Sequence, residues 1–78
     1  MRVITAIITG AASGIGFALA EKFADEKMKV VLADLQEDAL NNAAKAIEAK
    51  GVETLAAVTD VSSQHDVDVL AQKTLDQF

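Results

Sequence analysis

With 78 residues the chain can form at most one small domain, and its 51% apolar content is that of a folded protein rather than a disordered one. It has no Cys and a single His, His65, which rules out disulfides, thiolate metal sites and histidine clusters. A net charge of −5 without a basic stripe argues against nucleic acid and anionic membranes as partners, and no apolar run approaches the ~20 residues needed to span a bilayer.

Met1-Arg2 ahead of an apolar run superficially resembles a secretory leader. The run is short, however, and opens onto glycine rather than onto a small-residue cleavage site. Val3 to Thr9 reads instead as a strand, β-branched and without strict alternation, as in a parallel strand covered on both faces. With no targeting signal, the expected compartment is the cytoplasm. Gly14 to about Glu26 reads as a helix whose apolar face carries Ile15, Leu19 and Phe23, with Ala20 and Ala24 beside them. Met28 to Ala33 is a second strand. Glu37 to Lys50 is a second helix with Leu40, Ala43, Ala44 and Ile47 on one face, closed by Gly51. Val52 to Val58 is a third strand. Ser63 fits an N-cap with Asp66 as its acidic N3 residue, and the helix behind it carries Val67, Leu70, Ala71, Thr74, Leu75 and Phe78 on one side. This β-α-β-α-β-α order predicts an α/β fold on a parallel sheet.

The chemistry concentrates in Thr9-Gly10-Ala11-Ala12-Ser13-Gly14-Ile15-Gly16, between the first strand and the first helix. A pyrophosphate at this place must approach backbone N–H groups at the helix N-terminus, where unbonded donors and the helix dipole favour an anion. Gly10 permits the sharp exit from the strand. A side chain at Gly14 would stand between ligand and backbone, and Gly16 lets the helix pack closely. An ordinary strand-to-helix turn needs only one or two glycines, so three at this point indicate nucleotide binding. No Gly-Lys-Ser/Thr follows Gly10 at the offset of a P-loop. Asp34 follows Gly16 by 18 residues, at the end of the second strand. A carboxylate there accepts hydrogen bonds from the adenosine ribose hydroxyls and repels a 2′-phosphate, which favours NAD over NADP.

The Thr-Gly-x-x-x-Gly-x-Gly spacing, with Val30-Val31-Leu32-Ala33-Asp34 and Asp60-Val61 after it, resembles the classical short-chain dehydrogenase/reductase family over essentially the whole chain. The resemblance implies the N-terminal half of a Rossmann-type doubly wound sheet, strand order 3-2-1. It also implies that Asp60 accepts from the adenine amine, that the Val61 N–H donates to the ring, that Ser13 meets the ribose and that the Ile15 backbone meets the pyrophosphate. NADP-preferring relatives tend to carry Arg at positions 13 and 35, which are Ser13 and Leu35 in this chain. The family usually has Gly where Lys27 stands, so left-handed strain of roughly 1 kcal/mol is expected there. Alternative readings remain for two residues: Asp34 as a solvated strand-end carboxylate, and Asp60 as a cap of the following helix. His65 reads as a surface residue. Glu37, Asp38, Asp66 and Asp68 read as solvated faces and dipole partners.

The family's acid–base pair is a Tyr-x-x-x-Lys motif, and this chain has no Tyr. Its Asn-Asn-Ala-Gly segment is absent too, since Asn41-Asn42-Ala43-Ala44 falls within a helix. No catalytic residue is therefore assigned. The expectation is a dinucleotide-binding half-domain spanning residues 1–78, cut within its last helix, from an NAD-dependent oxidoreductase of an alcohol or ketone. A non-catalytic nucleotide-binding or interaction module complete at 78 residues is the alternative. A different nucleotide enzyme, such as a methyltransferase, fits the glycine spacing poorly. The first strand, interior in a full sheet, becomes an edge, so weak autonomous stability or self-association through it is expected.

Overall fold

The computed structural model describes residues 4–78; Met1, Arg2 and Val3, with the leader-like opening and the start of the first expected strand, lie outside the described residues. Six elements alternate along the chain: β1 (Thr5–Thr9), α1 (Gly14–Asp25), β2 (Lys29–Asp34), α2 (Glu37–Glu48), β3 (Thr54–Val58) and α3 (Gln64–Gln77). The strands are all parallel and ordered β1-β2-β3, which is the expected 3-2-1 half-sheet. Ile7 lies beside Val31, which lies beside Leu55; the next row is Ile8, Leu32 and Ala56.

β2 is central, and successive residues point to opposite faces. Val30 and Leu32 join Ile8, Ala20, Leu40 and Ile47 in a core under α1 and α2, whereas Val31 and Ala33 join Ala57 and Leu70 under α3. Burial on both faces explains why β2 is a continuous apolar run rather than an alternating one. Val30, Val31 and Leu32 are each 0% exposed. Full burial of such side chains contributes roughly 1.5–3 kcal/mol apiece, so β2 dominates the cohesion of the molecule. No helix among the described residues is long and apolar enough to cross a membrane.

The packing face of α1 differs from the expected one. Ile15 is 81% exposed and Leu19 is 47% exposed. The buried stripe is Gly16, Ala20 and Ala24, one residue further on, with Phe17 and Phe23 packed at its margins. Small side chains let the helix axis come close to the sheet, and Ile15 and Leu19 are left on an exposed face. α3 shows a related difference. Only Leu70 is buried; Val67, Ala71 and Leu75 are exposed, and Thr74 and Phe78 are half-buried. The helix rests on β3 by one seam. α2 buries Leu40, Ala43, Ala44 and Ile47 as expected. Strand bounds shift by one or two residues: β2 runs one residue later, and Val52 and Glu53 precede β3. Gly51 adopts φ +87° beyond the end of α2.

α1 ends in a Schellman motif. The Lys27 N–H donates to the Ala24 carbonyl and the Met28 N–H to the Phe23 carbonyl, at 2.9 and 3.1 Å. The motif requires a left-handed residue after the C-cap Glu26, and Lys27 supplies it at φ 64°. Among the described residues it is the one non-glycine with positive φ. A Cβ in that region is strained by roughly 1 kcal/mol. Lys27→Gly is therefore expected to raise stability by about that amount in thermal or denaturant unfolding; an unchanged or lower midpoint would contradict the strain.

Candidate functional site

The C-terminal ends of the parallel strands converge on one cleft of about 150 Å³, lined by Gly10, Ala33, Asp34, Leu35, Thr59 and Val61. Loops leaving parallel strands splay apart at this end of the sheet, which is where α/β folds place ligands. Three of the sequence-derived residues, Gly10, Asp34 and Val61, line the cleft itself. Ser13, Gly14, Ile15 and Gly16 form the adjoining turn and helix start, and Asp60 sits beside Val61.

The turn is fixed by a dense set of bonds. Gly10 leaves β1 at φ +63°. The Ser13 N–H donates to the Gly10 carbonyl at 3.0 Å, and the Ser13 hydroxyl donates to the same oxygen at 2.6 Å. That hydroxyl also accepts from the Gly16 N–H at 3.2 Å, so Ser13 is the N-cap of α1. Gly16 is tight for a reason more specific than packing on the sheet. A Cβ built there would collide with the Gly10 carbonyl oxygen and lie 2.8 Å from its carbon. At Gly14 a Cβ would meet nothing of the protein within 4 Å, so the space over it is open. Among the described residues, neither the Gly14 nor the Ile15 N–H has an acceptor. These are two of the unpaired donors every helix start carries, and they adjoin open space.

Asp34 has more protein partners than the sequence suggested. One carboxylate oxygen accepts from the Gln36 N–H and the other from the Ala12 N–H, both at 3.0 Å. The Gln36 N–H is the main reason its carboxyl lies below the ordinary value of 3.8; burial opposes the shift and the Ala12 N–H reinforces it. The group is thus a carboxylate at neutral pH, with lone pairs left over for further donors.

The β3–α3 loop closes the other side. The Asp60 N–H donates to the Asp66 carboxylate at 2.9 Å, a link the sequence did not disclose. The Asp60 carboxylate accepts from the N–H and hydroxyl of Ser62, at 2.9 and 2.6 Å, and these bonds lower its pKa, the hydroxyl most. It does not cap α3; the Ser63 hydroxyl does, accepting from the Asp66 N–H at 3.2 Å. The Val61 N–H has no acceptor among the described residues. Leu35, noted in the sequence only for not being Arg, lines the cleft, and Thr59 is a cleft residue that sequence reasoning did not single out. Thr59 is the one buried polar residue among the described residues, its hydroxyl donating to the Ala57 carbonyl at 3.0 Å. Its position between a strand end and Asp60 was the available signal. No group of His, Asp and Glu side chains able to hold a metal ion occurs among the described residues. The geometry therefore offers open backbone donors for an anion, a carboxylate for hydroxyls and a further open N–H, all around one opening.

Comparison with known proteins gives a consistent result. The family model for short chain dehydrogenase matches residues 4–78. The 1-deoxy-11-beta-hydroxypentalenate dehydrogenase of Streptomyces exfoliatus is 42% identical over 73 residues, covering 94% of this chain and 26% of that protein. A short chain dehydrogenase/reductase from Burkholderia phymatum in complex with NAD is similar at TM-score 0.92 and 44% identity, over 96% of this chain and 27% of that one. L-sorbose reductase from Gluconobacter frateurii, complexed with NADPH and L-sorbose, is similar at TM-score 0.92 and 38% identity, over 99% of this chain and 30% of that one. The chain thus spans 26–30% of the length of these relatives.

Two outcomes follow from the geometry. Gly16→Ala should destabilise the chain by about 1–3 kcal/mol in denaturant unfolding, as overpacking against rigid backbone does; Gly14→Ala, with open space around it, should cost less. Asp34 and Asp60 both have lowered pKa values in the folded chain. Their contribution to stability is therefore complete above the ordinary carboxylate value of 3.8 and lost as pH falls through their lower folded values. Unfolding measured from pH 7 down to pH ~2 should show that acid loss, with a shallower slope in Asp34→Asn.

Proposed function

Because the chain belongs to the short-chain dehydrogenase family, we propose that it binds the adenosine and pyrophosphate half of NAD for an oxidoreductase acting on an alcohol or ketone. The observation that carries this reading is the set of groups left open around the cleft. The Gly14 and Ile15 N–H groups suit pyrophosphate oxygens at a helix start. The Asp34 carboxylate suits the ribose hydroxyls, and the Val61 N–H suits a ring nitrogen of the adenine, with Asp60 beside it for the exocyclic amine. Ser13 has its proton committed to Gly10 and one lone pair free, so it would meet the ribose as an acceptor.

The choice of NAD over NADP rests on charge. A 2′-phosphate brought to Asp34 meets a carboxylate held in its ionised form, and neither position 13 nor position 35 carries a compensating cation. When bound, the dinucleotide supplies hydride transfer at its nicotinamide end. The residues of this chain hold the opposite end, and with no Tyr among its 78 residues the chain lacks the Tyr-x-x-x-Lys acid–base pair implied by the resemblance. Among the described residues β1 is an edge strand of the sheet, which supports self-association as part of the same reading.

Calorimetric titration of the chain with NAD, NADP and AMP tests the site. NAD is expected to bind more tightly than NADP by about tenfold or more, since a like-charge contact at about 4 Å costs roughly 1 kcal/mol in water and more beside protein. AMP should bind more weakly than NAD, and Asp34→Ala should narrow the gap between NAD and NADP. Tighter binding of NADP to the unaltered chain would overturn the role given to Asp34.

A further inference from the structure

Asp34 stands in two sets of contacts at once. It lines the cleft, and it also grips the glycine turn across 22 residues of sequence through the Ala12 N–H. A second bond runs beside this one, from the Ala11 N–H to the Ala33 carbonyl at 3.1 Å. Two consecutive amides of the turn are thus pinned to two consecutive residues at the end of β2. Ala33 is 1% exposed and Ala11 is 0% exposed, so the backbone anchor is buried and rigid. Only the Asp34 half of the clamp depends on a side chain and its charge. Directly beyond Ala12 come Ser13, which caps α1, and the open N–H groups of Gly14 and Ile15.

From this arrangement we infer that Asp34 is a positioning residue for the pyrophosphate cradle as well as a partner of the ribose: its bond to Ala12 sets where the Gly14 and Ile15 donors point. The inference rests on the reading that the cleft takes a dinucleotide. Both roles fit one carboxylate, because each oxygen carries two lone pairs and the turn uses one on each. A charged acceptor is suited to the task, since a hydrogen bond to an ionised group is about twice as strong as a neutral one.

The two roles predict opposite signs for a ligand without ribose hydroxyls. The probe is 2′,3′-dideoxyadenosine 5′-diphosphate, which has adenine and pyrophosphate but nothing for the carboxylate to accept from. If Asp34 served only the hydroxyls, Asp34→Ala would leave its binding unchanged, or tighten it by removing a negative charge near an anion. A positioning role weakens it, by about tenfold for the loss of one charge-assisted hydrogen bond. Asp34→Asn, which keeps one acceptor oxygen, should fall between. In the unaltered chain the Ala12 amide should be protected from hydrogen exchange; in Asp34→Ala it should exchange as an unbonded amide, and in Asp34→Asn at a rate between the two. Equal or tighter binding of the dideoxy probe by the variants overturns the inference, as does an unprotected Ala12 amide in the unaltered chain, a measurement that does not require either variant to fold. Failure of the unaltered chain to bind NAD overturns the underlying reading and the inference with it; NAD binding with an unprotected Ala12 amide overturns the inference alone.

Discussion

Burial of β2 on both faces is the constraint on which the other features rest. Its residues form the shared wall of two cores, and the three loops that make the cleft all take their positions from its C-terminal end. The Ala33 carbonyl holds Ala11, the Asp34 carboxylate holds Ala12 and Gln36, and the Asp34 carbonyl accepts from the Thr59 N–H at 2.9 Å. One strand end therefore registers the turn before α1, the start of α2 and the loop after β3. Because β2 is the most buried element, those loops hang from the part of the molecule that opens least readily.

Much of this was legible in the sequence, for identifiable reasons. The parallel sheet followed from apolar runs such as Val30–Ala33 alternating with helical periods, and α2 followed from a stripe of Leu and Ile among charged residues. The site was legible wherever chemistry demands a residue type: Gly10 for its positive φ, Asp34 for its charge at a strand end, Ser63 for its cap. The inner face of α1 was legible only in part: Gly16, Ala20 and Ala24 were placed near it, but periodicity weighs large apolar side chains above alanine and so put Ile15 and Leu19 there as well. α3 misled for a similar reason, since it touches the sheet by a single seam. The bonds from Ala12 to Asp34 and from Asp60 to Asp66 were hidden too. They link backbone amides to carboxylates across loops, and a backbone amide has no signature in sequence.

The two halves of the cleft are built on different principles. On the β1–α1 side the neighbouring groups are satisfied partly within the glycine turn, where Ser13 bonds twice to Gly10 and caps α1, and partly by the end of β2, which takes the Ala11 and Ala12 amides. On the β3–α3 side two acidic residues serve the backbone instead: Asp66 takes the Asp60 N–H, Asp60 takes Ser62, and Val61 is left with its amide free. In both places the open donor is what remains after the neighbouring polar groups have found partners, so the loops are fixed by the protein's own bonds.

The contact between Gly16 and the Gly10 carbonyl has a mechanical meaning. It lies one residue from the Ile15 donor, whereas Ala24, the far end of the buried stripe, lies about 12 Å down the helix axis. A rod seated at one end swings at the other. Changes in side-chain volume beneath Ala20 or Ala24 would tilt α1 about its glycine seat, displacing the Lys27 turn while the Gly14–Ile15 tip stays almost still. The helix thus separates the tolerance of its packing from the placement of its N-terminal donors.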